Sequence, residues 1–325
     1  MLFSLVKGVE PFCWPFFENC GQYRLESPGE LRIVSLAYLA LILLALYTRL
    51  YRRSLFTIAI AAVNVFLIGI VSLDYRLRAN EFYMLFWLNG VFLVWRHRRW
   101  AMPLLLISFY FWAGRLKLNH EWLSGSVLYG DLWFISPQYV PAACTYVVIL
   151  EMVFIWGLLA RHRWVRLLTL GQLVLFHFES LSQIHWFYPA LMTTMLAWFW
   201  IEDRYGEAGT RPTLKKLFRG EAPLSGYALL FVFAAFQLIP LFYRGDPLLN
   251  GQGRIMSLHM FEARQDCEVL ATVHWSAAPP TVVDLRMPEL PPRIICDPIV
   301  YYSRVQNLCR SRDVDTHLLD VDFMM

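Results

Sequence analysis

The chain has 325 residues, of which 58% are apolar, 16% aromatic and 17% charged. Globular proteins typically carry about 45–50% apolar and about 25% charged residues, so soluble domains could not hide this much apolar surface. The net charge of +4 is small and is distributed over short loops. This excludes a nucleic-acid-binding protein, because phosphate recognition needs a concentrated run or stripe of cations. The composition predicts an integral membrane protein.

In chain order, the sequence contains eight apolar runs, of which the third, sixth and seventh are short against the roughly 20 residues with which a helix crosses a bilayer. The predicted spans are Leu31–Tyr47, Leu55–Leu73, Phe82–Trp95, Trp100–Leu118, Ala142–Ala160, Val165–Leu181, Trp186–Ile201 and Ser225–Tyr243. Residues 1–30 have neither such a run nor the order of a signal peptide, so we expect no cleaved leader. The predicted fold class is an all-α polytopic membrane protein, with a transmembrane domain over residues 31–243 and a small α+β tail.

Basic residues determine the predicted orientation. Loops after the odd-numbered spans carry fourteen cations, whereas the loops on the other side, excluding the tail, carry six. Because cytoplasmic loops are enriched in Lys and Arg, a multi-pass protein with both termini extracytoplasmic is predicted. The fourteen are Arg49, Arg52, Arg53, Arg96, Arg98, Arg99, Arg161, Arg163, Arg166, Arg204, Arg211, Lys215, Lys216 and Arg219.

An extracytoplasmic segment is predicted over residues 1–30. At the other end of the chain, residues 244–325 are predicted to form a small extracytoplasmic domain. Its predicted elements are the strands Val269–Trp275 and Thr281–Leu285, a turn at Ala278–Pro280, and a helix from Asp297 to about Leu308.

Five of the six cysteines fall on the predicted outer side, where an oxidising compartment permits disulfides. Pairing cannot be derived from spacing alone; Cys13 with Cys20, and Cys267 with one of the last two, are the candidates, and five reduced structural cysteines are the alternative. The five are Cys13, Cys20, Cys267, Cys296 and Cys309.

Ionisable residues inside apolar runs are costly in lipid and therefore suggest function. Lys117, Glu151 and His177 are the strongest of these. Each has a structural alternative: Lys117 could extend to the membrane interface, Glu151 could pair with an arginine, and His177 could be a hydrogen-bonded core histidine. Glu179 points to a different face from His177.

The fourth run places Tyr110, Gly114 and Lys117 on one helix face. Gly114 leaves room for a flat molecule between the phenol and the amine. A lysine half-buried among aromatic residues is expected to have a lowered pKa and to act as a general base. The pattern favours a lipid-soluble substrate.

The sequence has no CxxC, HExxH or GxSxG motif and no metal-ligand spacing, so no metal is predicted.

One segment resembles a known family. It is Tyr110-Phe-Trp-Ala-Gly-Arg-Leu-Lys-Leu-Asn-His-Glu-Trp-Leu-Ser-Gly125, which is similar to the YFxAGxxKLxxxWxxG segment of vitamin K-dependent γ-glutamyl carboxylases and related HTTM (horizontally transferred transmembrane) proteins. Phe176-His177, Ser182-Gln183 and Met195-Leu196 are similar to the family's FH…SQ…ML stretch. Together these cover about Leu31–Tyr243.

The resemblance implies a mechanism. A lysine, here Lys117, deprotonates reduced vitamin K, whose reaction with oxygen produces a strong base; that base removes a γ-hydrogen from a peptide glutamate, and carbon dioxide adds to the carbanion. The implied cofactor is reduced vitamin K or a related quinol, with carbon dioxide and oxygen as co-substrates. The resemblance also implies roles for His177 in orienting the oxygenated quinone, for Trp122 in packing near the groove, and for Glu151 and Gln183 in support.

Two departures from the family leave two functions open. Asn80-Glu81 stands where the family has an Asn-His pair, with Glu81 as a possible replacement partner, and the tail is much shorter than the family's propeptide-binding domain. The first function is a quinol-dependent carboxylase-like enzyme that modifies glutamate in an exported or lumenal peptide, with membrane lipid and an accessory protein as further partners. The alternative is a non-carboxylating factor that helps a small secreted peptide mature or leave the cell.

Overall fold

A computed structural model describes residues 28–73, 80–95, 97–128, 131–183, 187–205 and 212–244, with short stretches at 253, 256–259, 268–275, 279–286, 300–302, 305 and 318–324. The helices are α1 (Pro28–Tyr51), α2 (Arg53–Leu73), α3 (Asn80–Val94), α4 (Arg98–Leu116), α5 (His120–Ser124), α6 (Val140–Met152), α7 (Arg163–Ser180), α8 (Phe187–Tyr205), α9 (Leu214–Phe218) and α10 (Leu224–Leu238). Short 3₁₀ segments lie at Pro137–Tyr139, Phe154–Leu159 and Ile239–Phe242. The strands are β1 (Leu270–Trp275), β2 (Thr281–Asp284) and β3 (Leu318–Met324).

The prediction of eight membrane spans is wrong. Among the described residues, two helical segments are long and apolar enough to cross a membrane, Pro137–Leu159 and Leu224–Phe242. Two further apolar helices, Leu36–Tyr51 and Ser54–Gly69, are shorter. The fold is mostly helical, with two candidate spans and a three-stranded sheet.

The other predicted spans fail for identifiable reasons. Helix α3 has 15 residues, about 22 Å at 1.5 Å per residue, which is shorter than the roughly 30 Å hydrocarbon core. Helix α4 begins with two arginines and buries residues 101–110 against protein. Helix α7 contains Arg163, Arg166, His177 and Glu179, and α8 ends in Glu202-Asp203-Arg204. An apolar run indicates burial, but periodicity does not distinguish burial in protein from burial in lipid.

The chain divides into two compact units, Met1–Phe82 with Gln265–Met325, and Tyr83–Arg264. In the first unit, α1 and α2 pack together around Ala45, Ala59 and Val63. Strand β1 is central in an antiparallel sheet of order β2-β1-β3, with Ala271 and Val273 buried. The first two strands agree with the sequence prediction to within one residue, whereas β3 was not predicted.

The remaining tail predictions are only partly covered. Residues 300–302 and 305 are helical and lie within the helix predicted from Asp297 to about Leu308. Most of that predicted helix, the first residue of the predicted turn at Ala278–Pro280, and nearly all of the predicted segment 1–30 lie outside the described residues.

The second unit is a helical bundle around α4. This helix is apolar on every side and contacts α6, α8 and α10, as expected for a helix enclosed by others. Its core includes Phe109 and Phe233, whose ring centroids are 5.3 Å apart. Gln237 of α10 donates to Tyr83 Oη on α3 at 3.0 Å and accepts the Leu258 backbone N–H at 2.8 Å.

Contacts along α4 define the directions of its neighbours. Helix α10 runs parallel to α4, because Trp95 bonds the Ser225 carbonyl before the start of α4 and Phe109 meets Phe233 further along. The α6 segment runs antiparallel, because Lys117 meets Glu151 while the earlier Phe111 meets the later Trp156. The bundle therefore has two distinct ends, which we call the site end, at the C-terminus of α4, and the basic end, at its N-terminus.

Candidate functional site

Lys117 and Glu151 form a buried ion pair at the site end. Lys117 is 5% exposed and Glu151 is 1% exposed. Lys117 Nζ donates to Glu151 Oε2 at 2.5 Å. The lysine follows the last residue of α4, and the glutamate lies on α6. The amine and the carboxylate are joined by one short hydrogen bond, so the two residues form a unit with a proton between an amine nitrogen and a carboxylate oxygen.

Two aromatic rings lie against the amine. Lys117 Nζ is 5.1 Å from the centre of the Trp122 ring and 5.6 Å from that of Phe176, within the range of cation–π attraction. Trp122 is fixed by its own hydrogen bond, because its Nε1 donates to the Cys144 carbonyl at 3.1 Å. The ion pair therefore lies in aromatic surroundings that exclude water.

The turn from α4 to α5 positions Trp122. Asn119 caps α5, since its side-chain oxygen accepts the Trp122 backbone N–H at 2.8 Å. Gly125 ends α5 with φ +80°, and a Cβ placed there would lie 2.4 Å from Val140 Cγ1. Only glycine fits this left-handed and crowded position. The short helix is thus held at both ends, one turn from the lysine.

A second polar pair lies next to the first. Tyr110 Oη and His177 Nε2 are 2.6 Å apart, and both side chains are buried. The His177 ring is 6.1 Å from the Tyr188 ring and 5.0 Å from the Phe176 ring. Phe176 therefore connects the two pairs, because it also lies against the Lys117 amine.

His177 retains an unsatisfied polar atom. Its Nδ1 is buried and has no hydrogen-bond partner among the residues that the structure describes. Burial disfavours the charged imidazolium, so the ring is neutral, and its Nδ1 is either a donor without an acceptor or an acceptor without a donor. Such an atom costs about 1–3 kcal/mol unless another group satisfies it. The atom therefore indicates a place for a ligand oxygen or a water molecule.

Gly114 has a role different from the one expected from its spacing. A Cβ at this position would lie 2.8 Å from Met152 Cγ and 2.9 Å from Glu151 Cβ. The space beside Gly114 is therefore occupied by α6, and the absence of a side chain permits the close helix approach that brings Glu151 to Lys117.

Two other predicted residues lie apart from this cluster. Gln183 follows α7 and donates to the Asp131 carbonyl at 3.4 Å, so it connects two loops. Glu81 lies half-buried in the first turn of α3, in the stretch of chain assigned to the first compact unit. Glu179 accepts the backbone N–H of Trp133 at 2.6 Å, on a face other than that of His177.

Three members of the cluster were not identified as site residues from sequence. Phe176 belongs to the FH pair of the family resemblance but had no role assigned to it, and Tyr188 is one of many aromatic residues in apolar runs. Asn119 had a usable signal, because an asparagine three residues before Trp122 is typical of a helix N-cap. Their contribution depends on which helices come together.

One of the six cysteines, Cys144, lies among the described residues. The disulfide candidates Cys13, Cys20, Cys267, Cys296 and Cys309 lie outside the described residues, while Cys144 is a free, buried thiol. No group of three His, Cys, Asp or Glu side chains that could hold a metal ion occurs within the described part of the chain.

The fold and the site together define a helical-bundle protein with a buried amine–carboxylate pair in aromatic surroundings and a neighbouring tyrosine–histidine pair. No family model, no curated protein and no solved structure matches the chain. The resemblance of residues 110–125 to the γ-glutamyl carboxylases therefore stays a prediction based on the motif.

Proposed function

We propose that this protein is a membrane-embedded, quinol-dependent, carboxylase-like enzyme in which Lys117 is the base. The observation that carries the proposal is the buried contact of Lys117 with Glu151 beneath Trp122 and Phe176. An amine held in dry, aromatic surroundings with a carboxylate as its proton partner is equipped for proton transfer.

Membrane embedding is supported by exposed apolar surface. In the most apolar window of Leu224–Phe242, 22% of residues are buried, and in that of Pro137–Leu159, 39%. A core helix of a soluble protein would be mostly buried. Phe231 and Phe242 are 75% and 87% exposed, and their transfer from water to lipid is favourable. These two segments are proposed to anchor the protein in the bilayer.

The residues fit a quinol. A quinol is a flat ring with an oxygen at each end, and the cluster offers aromatic side chains, an amine, and the unsatisfied His177 Nδ1. Lys117, Trp122, Phe176 and His177 are the residues proposed to hold it. When bound, the quinol supplies the oxygen-dependent base that the amine alone could not provide.

The chain's own residues manage the proton. Lys117 transfers its Nζ proton to Glu151, which turns two buried charges into a neutral pair, a change that burial favours. The neutral amine then accepts a proton from the bound hydroxyl group: an O–H bond breaks and an N–H bond forms. Tyr110 holds His177 in one orientation through their 2.6 Å contact. The substrate is proposed to be a glutamate of a secreted or lumenal peptide, with oxygen and carbon dioxide as co-substrates.

The test uses a variant that removes the base without leaving a buried charge. Replacing both partners of a buried ion pair with apolar residues is often neutral for stability, so Lys117→Met with Glu151→Leu is expected to fold. The proteins are reconstituted in lipid with a quinol, oxygen, labelled bicarbonate and a glutamate peptide. The wild type should oxidise the quinol and incorporate label into the peptide, and the double variant should lose about 10²–10⁴-fold in both rates. The matched control, the exposed Lys215→Met, should retain activity.

An active double variant would overturn the proposal. So would a wild-type protein that produces neither oxidised quinone nor label.

A second candidate function is favoured by one observation. The Lys117–Glu151 pair is complete in itself, as in a structural ion pair that fixes helix packing. Under this alternative the protein is a non-carboxylating factor that assists maturation or export of a small secreted peptide. It predicts that the folded Lys117→Met, Glu151→Leu variant still supports secretion of the peptide in cells lacking the wild-type protein. Loss of secretion in that variant would contradict it.

A further inference from the structure

The basic end of the bundle combines exposed cations with exposed aromatic residues. Because α6 and α10 run in opposite directions, the C-terminal end of Pro137–Leu159 and the N-terminal end of Leu224–Phe242 lie on the same side, together with the start of α4. Arg166 of α7 donates to Asp203 of α8 at 2.9 Å, so the end of α8 lies there too. Short α9 joins this end, since Tyr227 Oη donates to the Leu217 carbonyl at 2.5 Å.

Cations exceed carboxylates on the exposed surface of this end. Of the described residues there, one carboxylate, Glu221, is exposed, whereas Asp203 is occupied by Arg166 and Arg163. Seven cations are exposed: Arg98, Arg99, Arg161, Arg163, Arg204, Lys215 and Arg219. At the site end, by contrast, Glu121, Asp131 and Arg244 are exposed and Lys117 is buried. Among the described residues, the excess of exposed cations over exposed carboxylates therefore lies at the basic end.

Two large aromatic side chains project from the same surface. Trp164 and Phe218 are each 81% exposed, and each lies beside a cation, Arg163 and Arg219 respectively. Aromatic rings next to cations are typical of a membrane interface, where the ring enters the acyl boundary and the cation meets the headgroup. A nucleic acid or an acidic protein would account for the cations, but it would not require fully projecting Trp and Phe side chains.

We propose that the basic end is a binding surface for anionic phospholipid headgroups, with Trp164 and Phe218 inserted between the lipids. The surface is continuous with the ends of both candidate membrane helices, because residues 160–164 follow Leu159 directly and residues 218–223 precede Leu224. The inference rests on the membrane embedding in the proposed function but not on the quinol chemistry.

The first experiment measures lipid selectivity of the full-length protein. The protein is reconstituted in nanodiscs of phosphatidylcholine with a minor fraction of phosphatidylglycerol, and the lipids retained after mild delipidation are quantified. The wild type should be enriched in phosphatidylglycerol, and the variant Arg161→Gln, Lys215→Gln, Arg219→Gln should lose on the order of fivefold in enrichment per cation. The matched control at the site end, His120→Gln, Glu121→Gln, Asp131→Asn, should retain it.

The second experiment locates Trp164. The fluorescence of Trp164 is obtained by subtracting the signal of the Trp164→Phe variant from that of the wild type. Lipids brominated near the headgroup should quench this fluorescence more than lipids brominated at the chain end. Raising the salt concentration should reduce the phosphatidylglycerol enrichment, because the headgroup contacts are screened.

Failure of this proposal is distinct from failure of the proposed enzyme, since neither readout involves turnover. Wild-type protein without lipid selectivity, a triple variant with unchanged selectivity, or an unquenched Trp164 would overturn it. The proposal would also be overturned if the wild type bound an acidic peptide or RNA more tightly than anionic lipid and the triple variant lost that binding. The surface would then belong to another partner. Resistance of the protein to alkaline extraction from membranes separately tests the embedding on which it rests.

Discussion

Lys117 at the site end and the cations at the basic end differ in their exposure to solvent. At the site end, Lys117 is 5% exposed and bound by Glu151 and two aromatic rings. At the basic end, Arg161, Lys215 and Arg219 are exposed. A buried cation has to be paired and is therefore fixed in one geometry, whereas exposed cations contribute a screened field to their surroundings. Burial, and not residue type, therefore decides which cation is held in one geometry.

The largest effect is expected from a substitution that breaks the buried ion pair. Lys117→Ala leaves the Glu151 carboxylate buried without its partner and should lower the free energy of unfolding by about 3–5 kcal/mol. Lys215→Ala at the basic end should change it by less than about 0.5 kcal/mol. Thermal unfolding in detergent, followed by tryptophan fluorescence, measures both. Equal midpoints for the two variants would show that the two ends do not differ as described.

The second prediction compares two left-handed glycines, one at each end. Gly125 has φ +80° with Val140 in contact, whereas Gly220 has φ +73° and, among the described residues, nothing within 4 Å of the position that a Cβ would take. Both alanine variants carry the backbone penalty, but Gly125→Ala also forces α5 and α6 apart. We expect Gly125→Ala to cost about 1–3 kcal/mol more than Gly220→Ala, by the same unfolding measurement. Similar losses of unfolding free energy in the two variants would mean that Val140 moves aside at little cost.

The third prediction compares two tyrosine hydroxyls. Tyr110→Phe removes the contact to His177 in a fully buried setting and should cost about 1–3 kcal/mol, because the imidazole then has no partner at either nitrogen among the described residues. Tyr227→Phe at the basic end removes a half-buried bond to the Leu217 carbonyl and should cost about 0.5–1.5 kcal/mol. A larger loss for Tyr227→Phe would reverse the expected order of the two ends.

The smallest effect is expected at an exposed ion pair in the other compact unit. Hydrogen bonds from Arg286 hold the pKa of the Asp284 carboxyl below its usual value of 3.8. A lowered folded-state pKa stabilises the fold above the usual pKa, and this contribution disappears as the pH falls through the lowered value. Arg286→Ala should raise the pKa of Asp284, seen by carboxyl NMR titration, without a measurable change in unfolding temperature at neutral pH. A clear destabilisation would show that exposure alone does not make an ion pair weak.

Several features of this protein were predictable because they depend on neighbours in sequence. Strands β1 and β2 followed from β-branched runs around a proline-containing turn, and the grouping of Tyr110 and Lys117 followed from helical spacing. The number of membrane spans was not predictable in this way. The apolar run of α4 is as long as that of a membrane helix, yet its residues 101–110 are buried in protein.

The candidate site shows the same division. Lys117, Glu151, His177, Tyr110 and Trp122 stood out as polar or aromatic residues in apolar runs or in a recognisable motif. That Glu151 pairs with Lys117, rather than with an arginine, follows from the antiparallel approach of α6 that Gly114 permits. No local pattern specifies a contact between residues 34 positions apart.

The sequence by itself determined the helical character, the positions of the first two strands, the excess of apolar and aromatic residues, and which ionisable residues lie in apolar runs. These depend on composition and on short-range periodicity. The tertiary structure alone decided which apolar helices are enclosed, that Met152 fills the space beside Gly114, and that Lys117 is buried against Glu151. Those outcomes depend on the directions in which distant helices pack, since burial and charge pairing are properties of the assembled bundle.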